Sequence, residues 1–440
     1  MAISYPDYRT VWDVQCDWIV APRRQRRGTW RADSTAFRSR ARPRPTLGRS
    51  FLTWPGYGRH RPAVPRATLR HARAAALLLG ALLSLALPLP GRAACRHGAA
   101  TLRCAARRAH VRVGVGYTYQ PEKPDEAALV TREFDALTLE GELLWSVVHP
   151  EATRWNFAPA DRAVAWAARH GLYVTATHFV WDQLVYASTP AWVKAIDDPE
   201  RLRVVVRQHL ATITHRYGRH VRRWIVVNEP LRYFGDTASI QDNHFSRVLG
   251  PDWIAESFRI AHRAAPHASL WLNEIFTETD ARKAQALVEL ARTLVAAHVP
   301  IDGVGFQGHL FTPFLQPVAP DATSVADAMH AIAALGLKVA LTEIDAPTFP
   351  DTPDRFVEQA RRVRTLVEAC LGVRRCTDVI FWDLQDAESW LNTLFRRDDL
   401  APTLFDAALA PKPVYVAVRD ALAGQPRGTP HDSPAIGSVP

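Results

Sequence analysis

From residue 111 onward the chain alternates short apolar runs with longer amphipathic stretches, and this repetition restricts the fold more than any other feature. Alternation of that kind is the mark of repeated βα units, in which helices cover both sides of parallel strands. Eight strands are expected, at Val111–Tyr117, Ala136–Glu140, Tyr173–Val180, Trp224–Asn228, Ser269–Asn273, Gly303–Gln307, Lys338–Thr342 and Val379–Leu384. Helical patterns lie between them, among them Pro159–His170, Leu202–Tyr217, Trp253–Ala264, Ala281–Ala297, Val325–Leu335 and Asp354–Cys370. Eight such units predict an α/β fold, a (β/α)8 TIM barrel with insertions. A doubly wound open sheet is the alternative. Gly114-Val-Gly116 lacks the third glycine and the helix start of a dinucleotide site, so a nucleotide cofactor has no support.

Two of the runs end abruptly in a carboxylate: Trp224-Ile-Val-Val-Asn228-Glu229-Pro230 and Val339-Ala-Leu-Thr342-Glu343-Ile-Asp345. A buried parallel strand reads this way, and in a barrel its last residue emerges on the face where catalytic groups concentrate. On the strand count Glu229 ends the fourth strand and Glu343 the seventh. Other strands also end in polar residues: Glu140, Asn273-Glu274, Gln307 with His309, and Trp382. Groups with that periodic placement converge on one mouth. Two carboxyls there meet the need of glycosidic-bond cleavage for one proton donor and one nucleophile or base. Asn228 suits a hydrogen bond to the sugar hydroxyl beside the scissile bond, and His309 is placed to hold Glu343 charged. Trp382 and Trp390 fit a loop lining the cleft. Neither a phosphate loop nor a metal-ligand cluster is present in the sequence, so no cofactor and no metal are expected.

Charge divides the chain. Residues 1–110 hold 21 Arg, no Lys and 4 Asp, about +17, which leaves residues 111–440 at about −7. The whole-chain net charge of +10 would suggest nucleic acid, but the folding part is mildly acidic and the Arg-rich part has no RNA- or DNA-binding pattern. Residues 1–65, rich in Arg and Pro, read as a disordered arm or as sequence upstream of a true start near Val64 or Leu69. Residues 66–94 carry a basic n-region, an apolar run from Ala74 to Leu89 and a small-residue exit, the layout of an export signal cleaved near Ala93 or Ala94. That run is short for a membrane span. Residues 95–110 are expected to be a linker and 425–440 a disordered tail, around a barrel of 111–424. The expected location is therefore secreted or periplasmic, without membrane insertion after cleavage. Five Cys are too few for a disulfide scaffold. Cys370 with Cys376, and less readily Cys95 with Cys104, could pair in an exported chain, leaving Cys16; free thiols are the alternative.

The strand-ending segments resemble glycoside hydrolase family 10, the endo-β-1,4-xylanase family, over about residues 111–424. Trp224–Pro230 is similar to the family's acid/base motif and Leu341–Asp345 to its nucleophile motif. Gly303-Val-Gly-Phe-Gln307-Gly-His309-Leu resembles its strand-six segment, and Phe381-Trp382-Asp-Leu-Gln-Asp386-Ala-Glu-Ser389-Trp390 its strand-eight loop. The resemblance implies Glu229 as acid/base and Glu343 as nucleophile of a retaining mechanism. It implies sugar contacts from Glu140, Trp181, Asn228, Gln307, His309, Trp382 and Trp390. The implied partner is a polysaccharide or oligosaccharide, with no nucleic acid, handled by a monomer.

Departures fall in one region. The family's Glu-Asn-x-Met-Lys-Trp is Glu140-Gly141-Glu142-Leu143-Leu144-Trp145 here, so the sugar-holding Asn and Lys become Gly141 and Leu144. Its Gly-His-Thr-Leu-Val-Trp-His is Ala176-Thr177-His178-Phe179-Val180-Trp181-Asp182, with Thr177 and Asp182 in place of histidines. At about 1 kcal/mol per lost hydrogen bond, distal sugar binding falls tens-fold, and Leu144 with Trp145 suggests a more apolar pocket. The favoured expectation is internal cleavage of β-1,4-xylan. The alternatives are another β-linked glycan, a glycoside with an apolar aglycone, or a non-catalytic carbohydrate-binding barrel.

Overall fold

The computed structural model describes Cys95, residues 101–183, 188–313 and 315–424. The expectations for residues 1–65, 66–94 and 425–440 therefore lie outside the described residues. Eight strands close into one barrel, every neighbour parallel and in chain order: β1 (Arg112–Gly116), β2 (Ala136–Leu139), β3 (Tyr173–Ala176), β4 (Val221–Asn228), β5 (Ser269–Glu274), β6 (Gly303–Phe306), β7 (Lys338–Ile344) and β8 (Cys376–Phe381). β8 returns to pair with β1, which leaves no sheet edge and excludes the doubly wound alternative. The expected (β/α)8 barrel is the observed one.

Amphipathic helices wrap the outside. The expected helix Trp253–Ala264 has those bounds, and the others shift by up to three residues at their ends, as at Pro199–Tyr217, where Asp198 caps the first turn. The strand bounds shift too. β3 stops at Ala176 rather than Val180: Thr177 turns its hydroxyl onto the Leu139 carbonyl at 2.5 Å. Beyond this break Phe179 and Val180 still donate their N–H groups to Ile225 and Val226 of β4, at 3.0 and 2.9 Å. β8 begins at Cys376 and ends at Phe381 rather than Leu384, because Asp383 adopts a left-handed conformation (φ 61°) that extended pairing does not tolerate.

The expected linker over 95–110 is corrected. Leu102–Arg108 is a helix capped by the Thr101 side chain, with Leu102, Ala105 and Ala106 fully buried in the main core. A disulfide from Cys95 to Cys104 fastens it, and the helix Pro413–Gly424 packs against it. A second disulfide joins Cys370 to Cys376, closing the turn between the helix Arg355–Leu371 and β8. Small residues and alternating apolar side chains hid the first helix in sequence, since seven residues give little periodicity.

The lower barrel interior is filled by Trp271, Ile225 and Ala340. Arg223, almost wholly buried, lies 3.9 Å over the Trp271 ring and pairs with Asp378, which also accepts Arg112. Burial pushes the Asp378 carboxyl up, but the two guanidiniums outweigh it and hold the group below its ordinary value. This ion triad seals the bottom and leaves the top, where the strands end, as the open side.

Candidate active site

Glu229 and Glu343 both stand at the C-terminal mouth, where the strand phase placed them. Glu229 follows the last residue of β4 in a left-handed conformation (φ 51°), which turns its side chain out of the strand's alternation. Its carboxylate receives three donors. Trp181 Nε1 reaches Oε2 at 2.8 Å, the Tyr233 hydroxyl donates to the same oxygen, and Gln307 Nε2 reaches Oε1 at 3.0 Å. Glu343, within β7, accepts Asn273 Nδ2 at 2.6 Å and faces His178 Nε2 and His309 Nε2, each at 3.6 Å.

A chain of oriented amides joins the two carboxylates. Thr342 Oγ1 donates to Asn273 Oδ1 at 2.6 Å, so Asn273 must point its NH2 group outward. That NH2 serves both Glu343 and Asn228 Oδ1, the latter at 2.8 Å. Asn228 Oδ1 also accepts Gln307 Nε2 at 3.3 Å, and the same nitrogen holds Glu229. Every link is buried. Gly305 makes room for it, since a Cβ there would lie 2.2 Å from Asn273 Oδ1.

Electrostatics set Glu343 apart. Burial pushes its carboxyl up, but the hydrogen bonds and charges of His178 and His309 outweigh burial and bring it down to about 2. His309 is held in turn by Asp345, whose Oδ1 lies 2.9 Å from Nδ1. Burial lowers the imidazole, yet Asp345 and Glu343 together raise it to about 10. Trp390 Nε1 donates to the other Asp345 oxygen at 2.7 Å. The result at neutral pH is a charged carboxylate clasped by an imidazolium, fixed from behind by a second carboxylate. Such a group can attack an electrophilic carbon and cannot serve as the acid.

The remaining expected residues come to the same mouth. Trp382 covers the end of β1, so closely that a Cβ on Gly116 would meet its ring at 2.7 Å. Glu140 follows β2 and accepts the Thr118 hydroxyl at 3.0 Å. It also stands beside Asp383, whose own Oδ2 accepts the Trp390 N–H at 2.8 Å. Burial first, then the neighbouring carboxylate, raises Glu140 well above its ordinary value; burial raises Asp383 to about 7.

The departures noted in sequence resolve differently from one another. His178, not Thr177, carries the imidazole to Glu343. Asp182 accepts Lys194 at 2.6 Å and the His244 N–H at 2.8 Å, a structural clamp on the loop. Gly141 faces open space, with nothing within 4 Å of a Cβ placed there. The apolar pocket expected from Trp145 is not formed by its ring, which packs in the core and stacks on His209 with centroids 4.1 Å apart. Five residues that touch the site were given no role from sequence: His178, Tyr233, Asn273, Asp345 and Asp383. Asn273 carried a signal, since it ends β5 in phase with the other strand-ending polar residues. Tyr233 lies in a loop with no periodicity and carried none.

Residues 102–421 match the sequence profile described as Glycosyl hydrolase family 10. An endo-1,4-β-xylanase 5 of Pyricularia oryzae is 32% identical over 297 residues, covering 67% of this chain and 70% of its own. An endo-1,4-β-xylanase of Agaricus bisporus is 30% identical over 292 residues, covering 66% of this chain and 84% of its own. Among solved structures, the native xylanase 10B of Thermotoga maritima superposes with a TM-score of 0.67 at 26% identity, covering 74% of this chain and 98% of its own.

Proposed function

Because the chain belongs to glycosyl hydrolase family 10, we propose that Glu229 is its acid/base and Glu343 its nucleophile in a double displacement. The protein is an endo-acting glycoside hydrolase that cleaves β-1,4-xylan with retention of configuration. In the first step the Glu343 carboxylate bonds to the anomeric carbon, the glycosidic C–O bond breaks, and the Glu229 proton passes to the departing oxygen. In the second, Glu229 takes a proton from water as the water oxygen bonds to that carbon and Glu343 is released. Asn228 and Gln307 hold the reacting sugar, while Trp382, Trp390 and Glu140 line the rest of the glycone side, with Trp181 beside Glu229.

The observation that carries these assignments is the pair of imidazoles, His178 and His309, each 3.6 Å from Glu343. Glu343 is held near 2 by two imidazoles and so enters the reaction as an ion, leaving Glu229 to supply the proton. The test is Glu343→Ala assayed on xylan, with an expected loss of about 10⁴-fold or more in kcat. Survival of activity would overturn the assignment. NMR of the first product should show the β-anomer.

Export is proposed on two supports. Residues 66–94 carry the layout of a signal, and both described disulfides suit an oxidising compartment. Among the described residues no helix is long and apolar enough to cross a membrane. The proposed working state is a secreted or periplasmic monomer that acts on polysaccharide without nucleic acid. N-terminal sequencing of the exported protein should read from near Cys95; a mature chain that keeps residues 66–94 would sink the proposal.

A further inference from the structure

We propose that Tyr233 is a positioning residue whose hydroxyl reverses its hydrogen bond as Glu229 gains and loses its proton, donating to the carboxylate and accepting from the acid. The proposal rests on Glu229 being the acid/base.

An acid/base group needs partners in both protonation states. Of the three partners of Glu229, Trp181 Nε1 can only donate. Gln307 is no freer. Its NH2 also serves Asn228 Oδ1, which is fixed as an acceptor by Asn273, which is fixed as a donor by Thr342 and Glu343. Flipping the Gln307 amide would break that chain. A phenol rotates its O–H at little cost and keeps lone pairs to accept with. Among the described residues Tyr233 is thus the partner of Glu229 that can face a carboxylate and a carboxylic acid equally.

The ring is held while the proton turns. Tyr233 lies on a hairpin closed by Arg232 N–H to the Ser239 carbonyl at 3.0 Å and Gln241 N–H to the Pro230 carbonyl at 2.6 Å. Glu274, at the end of β5, accepts the Leu231 N–H at 2.9 Å and pairs with Lys283 at 3.0 Å, both fully buried. The Lys283 ammonium stands 5.4 Å from the Tyr233 ring centre. Burial, and then the charge of Glu229, keep the phenol well above its ordinary value, so Tyr233 retains its own proton throughout. During the first step Glu229 gives its proton to the glycosidic oxygen as the C–O bond breaks, and the Tyr233 O–H swings to donate to the new carboxylate. During the second, Glu229 takes a proton from water and Tyr233 returns to accepting.

Tyr233→Phe keeps the ring and removes the hydroxyl. The test compares two aryl β-xylobiosides, phenyl and dinitrophenyl, in wild type, Tyr233→Phe and Glu229→Ala. A dinitrophenolate leaves without protonation, whereas a phenolate needs the acid. The expected result for Tyr233→Phe is a fall of about tenfold in kcat/KM on the phenyl substrate, with the dinitrophenyl substrate within about twofold of wild type. Retention on the dinitrophenyl arm also reports a folded site. Glu229→Ala should show the same split, larger. If Glu229→Ala loses both substrates equally, Glu229 is not the acid and the underlying assignment falls. If Glu229→Ala splits them and Tyr233→Phe treats them alike, only the role of Tyr233 is overturned.

Discussion

Two pairs of carboxyl groups stand at the mouth of this barrel, and they differ in what surrounds them. Glu229 and Glu343 are fed by N–H and O–H donors from Trp181, Tyr233, Gln307 and Asn273, with His178 and His309 beside Glu343. Glu140 and Asp383 are turned against each other, with one hydroxyl from Thr118 and one N–H from Trp390. Burial pushes the carboxyls of Glu343, Glu140 and Asp383 up alike. At Glu343 the hydrogen bonds and charges of His178 and His309 reverse that push and the group falls to about 2; at Asp383 the opposing hydrogen bonds fall short and the group rises to about 7. Charge at a buried carboxyl is thus decided by its partners and not by depth.

The largest test of this contrast is His309→Phe. Without the imidazole Glu343 loses one of the two groups that overcome burial, so its pKa rises. The nucleophile then protonates at higher pH, and the acid limb of the pH–kcat profile should move upward, with kcat at neutral pH lower by about 100-fold. An unmoved acid limb would show that His178 alone sustains the charge. Next in size is Asn273→Ala, which cuts the amide chain between the two carboxylates. A fall of about tenfold in kcat is expected from loss of hydrogen bonds to charged groups, checked by steady-state kinetics on xylan.

Smaller effects belong to the other pair. Asp383 binds its proton up to about pH 7, and Glu140 faces Glu142 as well as Asp383, while Asp345 adds repulsion on the β7 side. As pH rises through about 7 Asp383 loses its proton beside Glu140, and KM should climb about threefold, on the scale of one weakened hydrogen bond, with kcat unchanged. Asp383→Asn should flatten that rise. Its smallest consequence is on stability. A carboxyl whose folded pKa lies above its unfolded value contributes stability that is present below about pH 4 and lost as pH rises through about 7. Asp383→Asn keeps an acceptor for the Trp390 N–H without the charge, so the variant should gain on the order of 1 kcal/mol over wild type at pH 8 and nothing at pH 4. Equal shifts at both pH values would mean that the pair carries no shared proton.

The contrast between the two pairs also marks what could be read from residue order. Glu229, Glu343, Gln307 and His309 were legible because each lies at or just past the C-terminal end of a strand, and strand ends in a parallel barrel share one face. Asn273 had the same placement and was seen only as one strand-ending residue among several. His178 was harder, because the break after Ala176 takes it out of the alternation that would have assigned its side. Asp383 was invisible as a partner of Glu140, since 243 residues of sequence separate two side chains that closure of β8 onto β1 brings together. The short helix at Leu102–Arg108 was read as linker for want of length, and the loop carrying Tyr233 offers no period to read.

The order and apolar pattern of the residues alone determined the eight βα units, the direction of each strand and the face on which the two glutamates emerge. These follow from the local periodicity of the strands and longer helices. The tertiary structure decided which carboxyl is charged, which imidazole reaches the nucleophile and which hydroxyl meets the acid. Those properties depend on distances of about 3 Å between residues remote in sequence. Barrel closure sets those distances, and no local pattern encodes them.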